Sequence, residues 1–391
     1  MKVVIAGAGI AGPVAAIALR EVGIEAEVFE AREAVEGDGG LFLSLASNGH
    51  RVLDQLGLDP SVRSVPHIPT PRIAFLSANG KRIGTVSNGR CETGVPITLM
   101  RRSLHSALSE EATQRGVAIH RGQVVTGYRQ DDAGVTVLLG NGVEHSADLL
   151  IGADGIGSKV RAAMPESQVR PSFTGLLNLG GIVPASGLAP TPGEMRMIWG
   201  SRAFFGYAVR EGGEAWWFAN IGTAQEPARA EMVLDRANWA RRLAQLFAGD
   251  LPLITELVRQ TPEIHAYPIH DLPHVPRWRD RRVVLIGDAA HATSPSSGQG
   301  ASLALEDAAF LATCLRDFGV PGMALAHFES HRRPRAERIV AEGRKRGAYK
   351  APRSRIALHL RDAVMPLVFR YLATDRSLAW IHDYRLPRAI G

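Results

Sequence analysis

The chain opens on a continuous apolar run, Val3-Val4-Ile5-Ala6, bounded by Lys2 and Gly7, which is the pattern of a short strand buried on both faces. The spacing then lengthens. Ile10, Val14, Ile17 and Ala18 share one face of a helix that Gly23 is placed to stop, and residues 25–30 (EAEVFE) return as a second strand. These residues make one β-α-β unit of the usual size, about 30 residues. Residues 147–152 and 281–287 repeat the apolar-strand pattern, and nearly everything after residue 300 has helical spacing. Segments 71–97 and 171–274 differ in character. Short alternating runs at 195–199, 203–209 and 214–221, separated by Gly200 and Gly212-Gly213, predict hairpins of an antiparallel layer inserted into an α/β core. Residues 231–260 revert to helical spacing, and no internal repeat or low-complexity tract interrupts the chain.

A length of 391 residues allows two or three folding units. With 45% hydrophobic and 21% charged residues, the composition excludes a disordered, collagenous or coiled-coil chain. No run approaches the roughly 18 to 20 apolar residues of a membrane span. Met1-Lys2 leads straight into the first strand without the sections of a signal peptide, so the expectation is a soluble, cytoplasmic protein with no integral membrane association. Cys91 and Cys314 lack the spacing of a redox or zinc pair and are expected to be buried bystanders. The net charge of +6 is uneven: residues 331–391 hold 15 Lys and Arg against 5 Asp and Glu. Because these arginines are dispersed among Phe369, Tyr371 and Trp380, they read as a solvated helical face rather than a nucleic-acid patch.

The chemistry begins at Gly7-Ala8-Gly9-Ile10-Ala11-Gly12, a G-x-G-x-x-G at the strand-to-helix turn. Gly7 permits the tight turn, Gly9 lets the backbone approach a pyrophosphate, and Gly12 lets helix and strand pack closely. Free N–H groups at the helix start then face the phosphates. Pro13 falls in the first turn, where it is tolerated. Glu30, ending the next strand, is placed to accept from a ribose 2′-OH, so the unit reads as a dinucleotide site. FAD and NAD both satisfy it.

Two distant segments separate those cofactors. Residues 147–161 (ADLLIGADGIGSKVR) form a buried strand ending in Asp154-Gly155, with Ser158 placed as a helix cap. Residues 282–308 run from a strand through Gly287-Asp288 and His291 to Gly298-Gln299-Gly300-Ala301-Ser302 and a long helix. With these three ordered signatures, the chain resembles the group A flavoprotein monooxygenases, the p-hydroxybenzoate hydroxylase-like family, over nearly its whole length. The resemblance implies a Rossmann-like FAD-binding domain of residues 1–70, 98–170 and 275–340. It also implies an inserted antiparallel β-sheet substrate domain of residues 71–97 and 171–274, and a C-terminal helical segment 341–391.

Residue by residue, the resemblance gives Glu30 the adenosine ribose and gives Arg101 a cofactor contact, with Arg102 as its substitute. Asp154 would help hold the FAD and nicotinamide ends together, and Asp288 would bond the sugar-like chain beside the pyrophosphate. The stretch from Gly298 through Gly300 and Ala301 to Ser302 would turn backbone N–H groups to the flavin ring. Charge on reduced flavin near N1 and the C2 carbonyl suits a helix N-terminus. Asparagine is frequent in the family where Ser302 stands, which leaves backbone contact as the expectation there. His291 is expected to shape its loop. His265, His270 and His274 with Asp271 fit no metal-ligand spacing, so no metal is expected.

By the same resemblance, NADH or NADPH would reduce FAD, the reduced flavin would trap O2 as a C4a-hydroperoxide, and an aromatic or polycyclic small molecule would be hydroxylated or epoxidised. No second glycine fingerprint is visible, as suits a transiently bound nicotinamide. The substrate is expected between the inserted sheet and the α/β core. Met197, Trp199, Phe205, Tyr207, Trp217 and Phe218 are its candidate lining, of which strand alternation turns only about half inward. No catalytic base is identifiable. Alternatives are a halogenase, whose W-x-W-x-I-P is absent from Trp216-Trp217-Phe218-Ala219-Asn220-Ile221, a flavin-linked reductase or oxidase, and a non-enzymatic FAD-binding module. The assembly expected is a monomer or homodimer.

Overall fold

The computed structural model describes residues 1–34, 41–89, 94–232, 236–348, 350, 364–365, 367–369 and 375–387, so Cys91 lies outside the described residues. Its first layer is a six-stranded sheet in the order Arg279–Asp280, Val283–Leu285, Leu149–Gly152, Lys2–Ala6, Glu25–Glu30 and Ala118–Arg121. All neighbours run parallel except the first pair. Val3, Val4, Ile5 and the whole of Leu149–Gly152 are buried, as strands covered on both faces must be. The helices Ala11–Glu21 and Gly300–Phe318 pack together against this sheet, and alanines along both let them approach closely. Gly23 takes φ +77 just past the first helix, and Gly319, φ 63, closes the second.

The second layer is a seven-stranded sheet: His265–Asp271, Ser172–Val183, Ala215–Gly222, Phe204–Val209, Glu194–Trp199, Arg72–Ser77 and Arg82–Ser87. The hairpins expected from alternation are present, with one difference. Arg72–Ser77 lies parallel to Glu194–Trp199, because the chain returns through the first layer before it re-enters this sheet. Helices Arg236–Leu246 and Pro252–Gln260 cover the outer face, where Trp239, Leu243, Phe247 and Leu257 meet the sheet's side chains. The inner face turns toward Phe42 and Met100, which belong to a small sheet made of Phe42–Leu45, Ile97–Met100 and His67–Pro69.

The basic C-terminal region is not simply a solvated face. Helix Pro321–Ala348 buries Arg332 completely, Arg335 ion-pairs with Glu306, and Arg344 grips Asp271 at 2.6 and 2.7 Å. Dispersed arginines read as solvated because their partners lie 25 to 73 residues away and leave no local trace. Among the described residues no helix is long and apolar enough to cross a membrane.

Candidate cofactor and substrate site

The carboxyl ends of Lys2–Ala6, Glu25–Glu30, Leu149–Gly152 and Val283–Leu285 lie side by side, so the three sequence signatures meet at one edge of the sheet. Backbone hydrogen bonds join them: Gly7 N–H donates to Phe29 O (2.7 Å), Ala153 N–H to Ala6 O (2.8 Å) and Ile286 N–H to Gly152 O (3.0 Å). Gly7 takes φ +99, and a Cβ there would stand 2.5 Å from Ala153 O. A Cβ on Gly12 would stand 1.9 Å from Gly7 O. Around this tight junction the surface is open, since a Cβ on Gly9, Gly155, Gly157 or Gly298 would meet nothing within 4 Å.

The polar groups facing that space are under-committed. Helices Ala11–Glu21 and Gly300–Phe318 both begin without a side-chain cap or an acid in the first turn, leaving backbone donors and the positive dipole end for an anion. Glu30 accepts from Ala8 N–H (2.6 Å) and Arg32 N–H (3.0 Å), which fixes the glycine turn and keeps a second lone pair on each oxygen. The Oδ2 of Asp154 accepts from the Lys159 and Val160 N–H groups, while its Oδ1 is buried without a partner. Burial holds that carboxyl above the usual range. Ser158 caps the following helix, accepting from Arg161 N–H at 2.9 Å. Asp288 opens a short helix but does not cap it, and its carboxylate engages no hydrogen-bond partner among the described residues.

Arg121 Nη1 and His105 Nε2 are also buried and unpaired near Glu30. Neither was legible as a site residue, because Ala118–Arg121 joins this edge only through sheet pairing. Arg101 and Arg102 are exposed at the start of helix Arg101–Gln114. Ser302 is fully buried, and a Cβ on Gly49 would stand 2.6 Å from its Oγ, so that side chain faces helix Ser47–Gln55. Uncapped helix starts, open glycines and unpaired buried polar atoms in one row fit an extended dinucleotide.

Behind the row lies a buried ion network. Asp307 accepts from Gly287 N–H (2.9 Å) and Arg332 Nε (2.8 Å) and lies 2.5 Å from His291 Nε2. Burial alone would raise the Asp307 carboxyl, yet His291, Arg332 and the Gly287 amide outweigh it and hold the group at about 2. His291 thus fixes its loop through Asp307, as expected. Glu306 binds Arg332 (2.6 Å), Arg335 (2.9 Å) and Asn48 Nδ2 (2.7 Å), and Asn48 also donates to Gln299 (2.8 Å). The remaining histidines disperse: His270 lies beside Glu226 and His274 beside Glu337, while Asp271 is taken by Arg344.

His382, beside Gln299, is a pH liability. Burial, reinforced by Arg346, Arg335 and Arg51, pushes its ring down to about 4. An unfolded chain takes up that proton near pH 6.5, so the stability tied to neutral His382 is complete above that pH. It falls as the pH drops to about 4, by up to about 3 kcal/mol. Melting temperature should therefore decline from pH 7 to 4.5, and His382→Gln should flatten the decline; parallel curves for the two proteins would count against this account.

Cross-strand pairing sorts the aromatic residues of the seven-stranded sheet. Phe205, Tyr207 and Trp217 belong to the outer core with Trp239 and Phe247, and Phe205 stacks on Trp217 at 5.4 Å. They are therefore not pocket residues, a correction that follows from period-two alternation around the buried outer helices. Met197, Trp199 and Phe218 face inward. There Phe42 contacts Trp216 (5.8 Å) and Phe218 (6.0 Å), and Phe204 contacts Trp199 and Phe218 (both 6.1 Å). A polar stripe crosses the same face. Tyr267, Asn178, Asn220 and Phe204 are successive cross-strand partners, and Asn220 Nδ2 donates to Asn178 Oδ1 while Asn178 Nδ2 donates to Tyr267 Oη, both at 2.7 Å. Asn178 and Asn220 lie 42 residues apart in the chain, and only the pairing register aligns them.

Known proteins agree with this geometry. The FAD binding domain family matches residues 1–343. The aurachin C monooxygenase/isomerase of Stigmatella aurantiaca is 32% identical, over 96% of this chain and 95% of its own. The FAD-dependent urate hydroxylase of Klebsiella pneumoniae is 30% identical over 88% and 89%. The crystal structure of Klebsiella pneumoniae HpxO complexed with FAD and uric acid superposes with a TM-score of 0.84 at 25% identity, covering 97% of both chains. The chain therefore belongs to the FAD-dependent group A flavoprotein monooxygenases, and the cofactor that its convergent signatures accommodate is FAD.

Proposed function

We propose that this monooxygenase uses NADH or NADPH and O2 to hydroxylate or epoxidise an aromatic or polycyclic small molecule held between the flavin and the inner face of the seven-stranded sheet. The observation that carries this reading is that strand Phe42–Leu45 packs against helix Gly300–Phe318, whose start is uncapped, and also carries Phe42 onto the inward-facing Trp216 and Phe218, at an interface of the kind where ligand pockets concentrate. FAD, once reduced by the nicotinamide, supplies the reaction with O2 that places one oxygen atom in the substrate and releases the other as water.

The chain's own residues bind and orient. First-turn N–H groups of Ala11–Glu21 take the pyrophosphate, with Gly9 clearing the approach, and Glu30 takes the adenosine ribose. Asp288 holds the sugar-like chain, Asp154 and Arg101 steady the cofactor, and backbone donors from Gly298 through Gly300 and Ala301 to Ser302 face the ring edge that becomes negative on reduction. Met197, Trp199 and Phe218 present apolar surface to a planar substrate and exclude water from it.

The test is oxygen-dependent NAD(P)H consumption by the yellow holoprotein with a panel of mono- and bicyclic aromatics. At least one should stimulate consumption and gain one oxygen by mass; flavin that neither nicotinamide reduces would defeat the proposal. Glu30→Ala and Asp288→Ala should each weaken FAD binding about 10- to 100-fold, the loss expected for a charge-assisted hydrogen bond. Titration of the stripped variants with FAD reads this directly, and undiminished affinity in both would remove the assignment.

A further inference from the structure

The polar stripe ends on a cation that the monooxygenase reading leaves without a task. Helix Pro321–Ala348 runs toward the sheet, and its last turns are packed against the loop that precedes Gly298. A Cβ on Gly343 would stand 3.1 Å from Ser297 Cβ, and one on Gly347 would stand 3.2 Å from Leu176 Cδ1 and 3.6 Å from Ser296 Oγ. A turn follows, with Lys350 N–H donating to Gly347 O at 3.0 Å, and it delivers the Lys350 side chain to the inner face of the sheet. Its Nζ donates to Asn220 Oδ1 at 2.7 Å and lies 4.4 Å from the centre of the Phe204 ring and 5.6 Å from that of Phe218. Lys350 thus stands between the cofactor-facing loop and the aromatic row.

We propose that Lys350 is the anion-recognising residue of the substrate site, and that the substrate is a planar aromatic carrying an ionised oxygen, as a carboxylate or an acidic ring hydroxyl. The inference rests on the proposed monooxygenase reading and narrows its substrate class. Among the described residues no carboxylate pairs with Lys350: an amide oxygen and two ring faces are its neighbours, and the charge acting on it most is another cation, Arg346. A half-buried ammonium with no carboxylate among these described neighbours is costly, and an anionic ligand lowers that cost. Burial, with Arg346 adding to it, pushes the Lys350 ammonium down to about 7, although part of the side chain stays accessible. The flanking phenyl faces supply the flat apolar walls that an aromatic acid needs, and the Asn220–Asn178–Tyr267 ladder holds the lysine's acceptor in place.

The test compares 2-naphthoate with 2-naphthamide, which match in shape and differ in charge, as ligands of the FAD-loaded protein by equilibrium dialysis. Wild type should bind the carboxylate at least about 30-fold more tightly than the amide, the lower bound for a buried charge pair. Lys350→Met should erase that preference by weakening 2-naphthoate alone, with flavin content unchanged. Lys350→Gln, which keeps a polar head for Asn220, should do the same and guards against a folding failure of the methionine variant. Equal binding of the two probes by wild type, binding of neither, or a preference that survives both substitutions would overturn the assignment. If the amide binds as well as the acid and still stimulates NAD(P)H oxidation, the monooxygenase reading stands while the anion site falls.

Discussion

Gly12→Ala will purify nearly colourless. Its new Cβ would sit 1.9 Å from Gly7 O, a separation no real contact sustains, so either the helix or the turn must move. The turn cannot yield cheaply. Gly7 holds φ +99, donates to Phe29 O at 2.7 Å, and is pressed against Ala153 and Asp154 on its other side. Strain of about 3 kcal/mol is expected. The same displacement pulls the uncapped helix start away from the pyrophosphate position, weakening FAD binding on the order of 100-fold, equal to about 3 kcal/mol. Gly9→Ala is the informative partner, because its Cβ meets nothing within 4 Å of the protein. It should melt like the stripped wild type and yet bind FAD poorly, since its methyl group fills the space left for the cofactor. The ratio of flavin to protein absorbance and the melting curves of the stripped proteins read the two effects separately. A yellow Gly12→Ala protein of wild-type stability would refute the close-packing argument.

Arg332→Met should cost about 3–5 kcal/mol of stability. The guanidinium is 0% exposed, and it lies against Glu306 and Asp307, which are 1% and 0% exposed. Removing it leaves two adjacent buried carboxylates with less compensation than their burial demands. Asp307 should then rise from its depressed value of about 2, and its hold on Gly287 N–H and His291 should loosen. The damage therefore reaches the turn that carries Asp288, and FAD should dissociate faster as well. Arg332→Lys keeps the charge without the planar fork and should recover only part of the loss. Chemical denaturation followed by tryptophan fluorescence measures the stability term; a midpoint unchanged by Arg332→Met would show the network to be energetically idle.

The two predictions differ in how far the sequence foretold them. The glycine turn was legible because each of its requirements is local: a strand, three glycines and a helix within 12 residues, followed by an acid at residue 30. The ion network was not. Arg332 lies 25 and 26 residues from its two carboxylates, in a stretch whose spacing reads as an exposed basic helix. The proposed substrate face was half legible, because alternation sets Met197 and Trp199 opposite Ile198 but does not say which side of the sheet turns toward Phe42 and Met100. That choice was made by Trp239, Leu243 and Phe247, which cover the outer face and bury Phe205, Tyr207 and Trp217 beneath them.

Periodicity and glycine placement, read from the chain alone, determined the β-α-β start, the inserted sheet, and the three glycine-bearing strand-to-helix segments that meet at one sheet edge, because these are properties of neighbouring residues along one strand or turn. Folding decided what depends on register and long-range contact: the parallel entry of Arg72–Ser77, the burial of Ser302 against Gly49, the ion pairs beneath Gly287, and the arrival of Lys350 beside Asn220. The reason is physical. Backbone propensities act over a few residues, whereas the partner that satisfies a buried charge is chosen by whichever distant segment the packed core brings within about 3 Å.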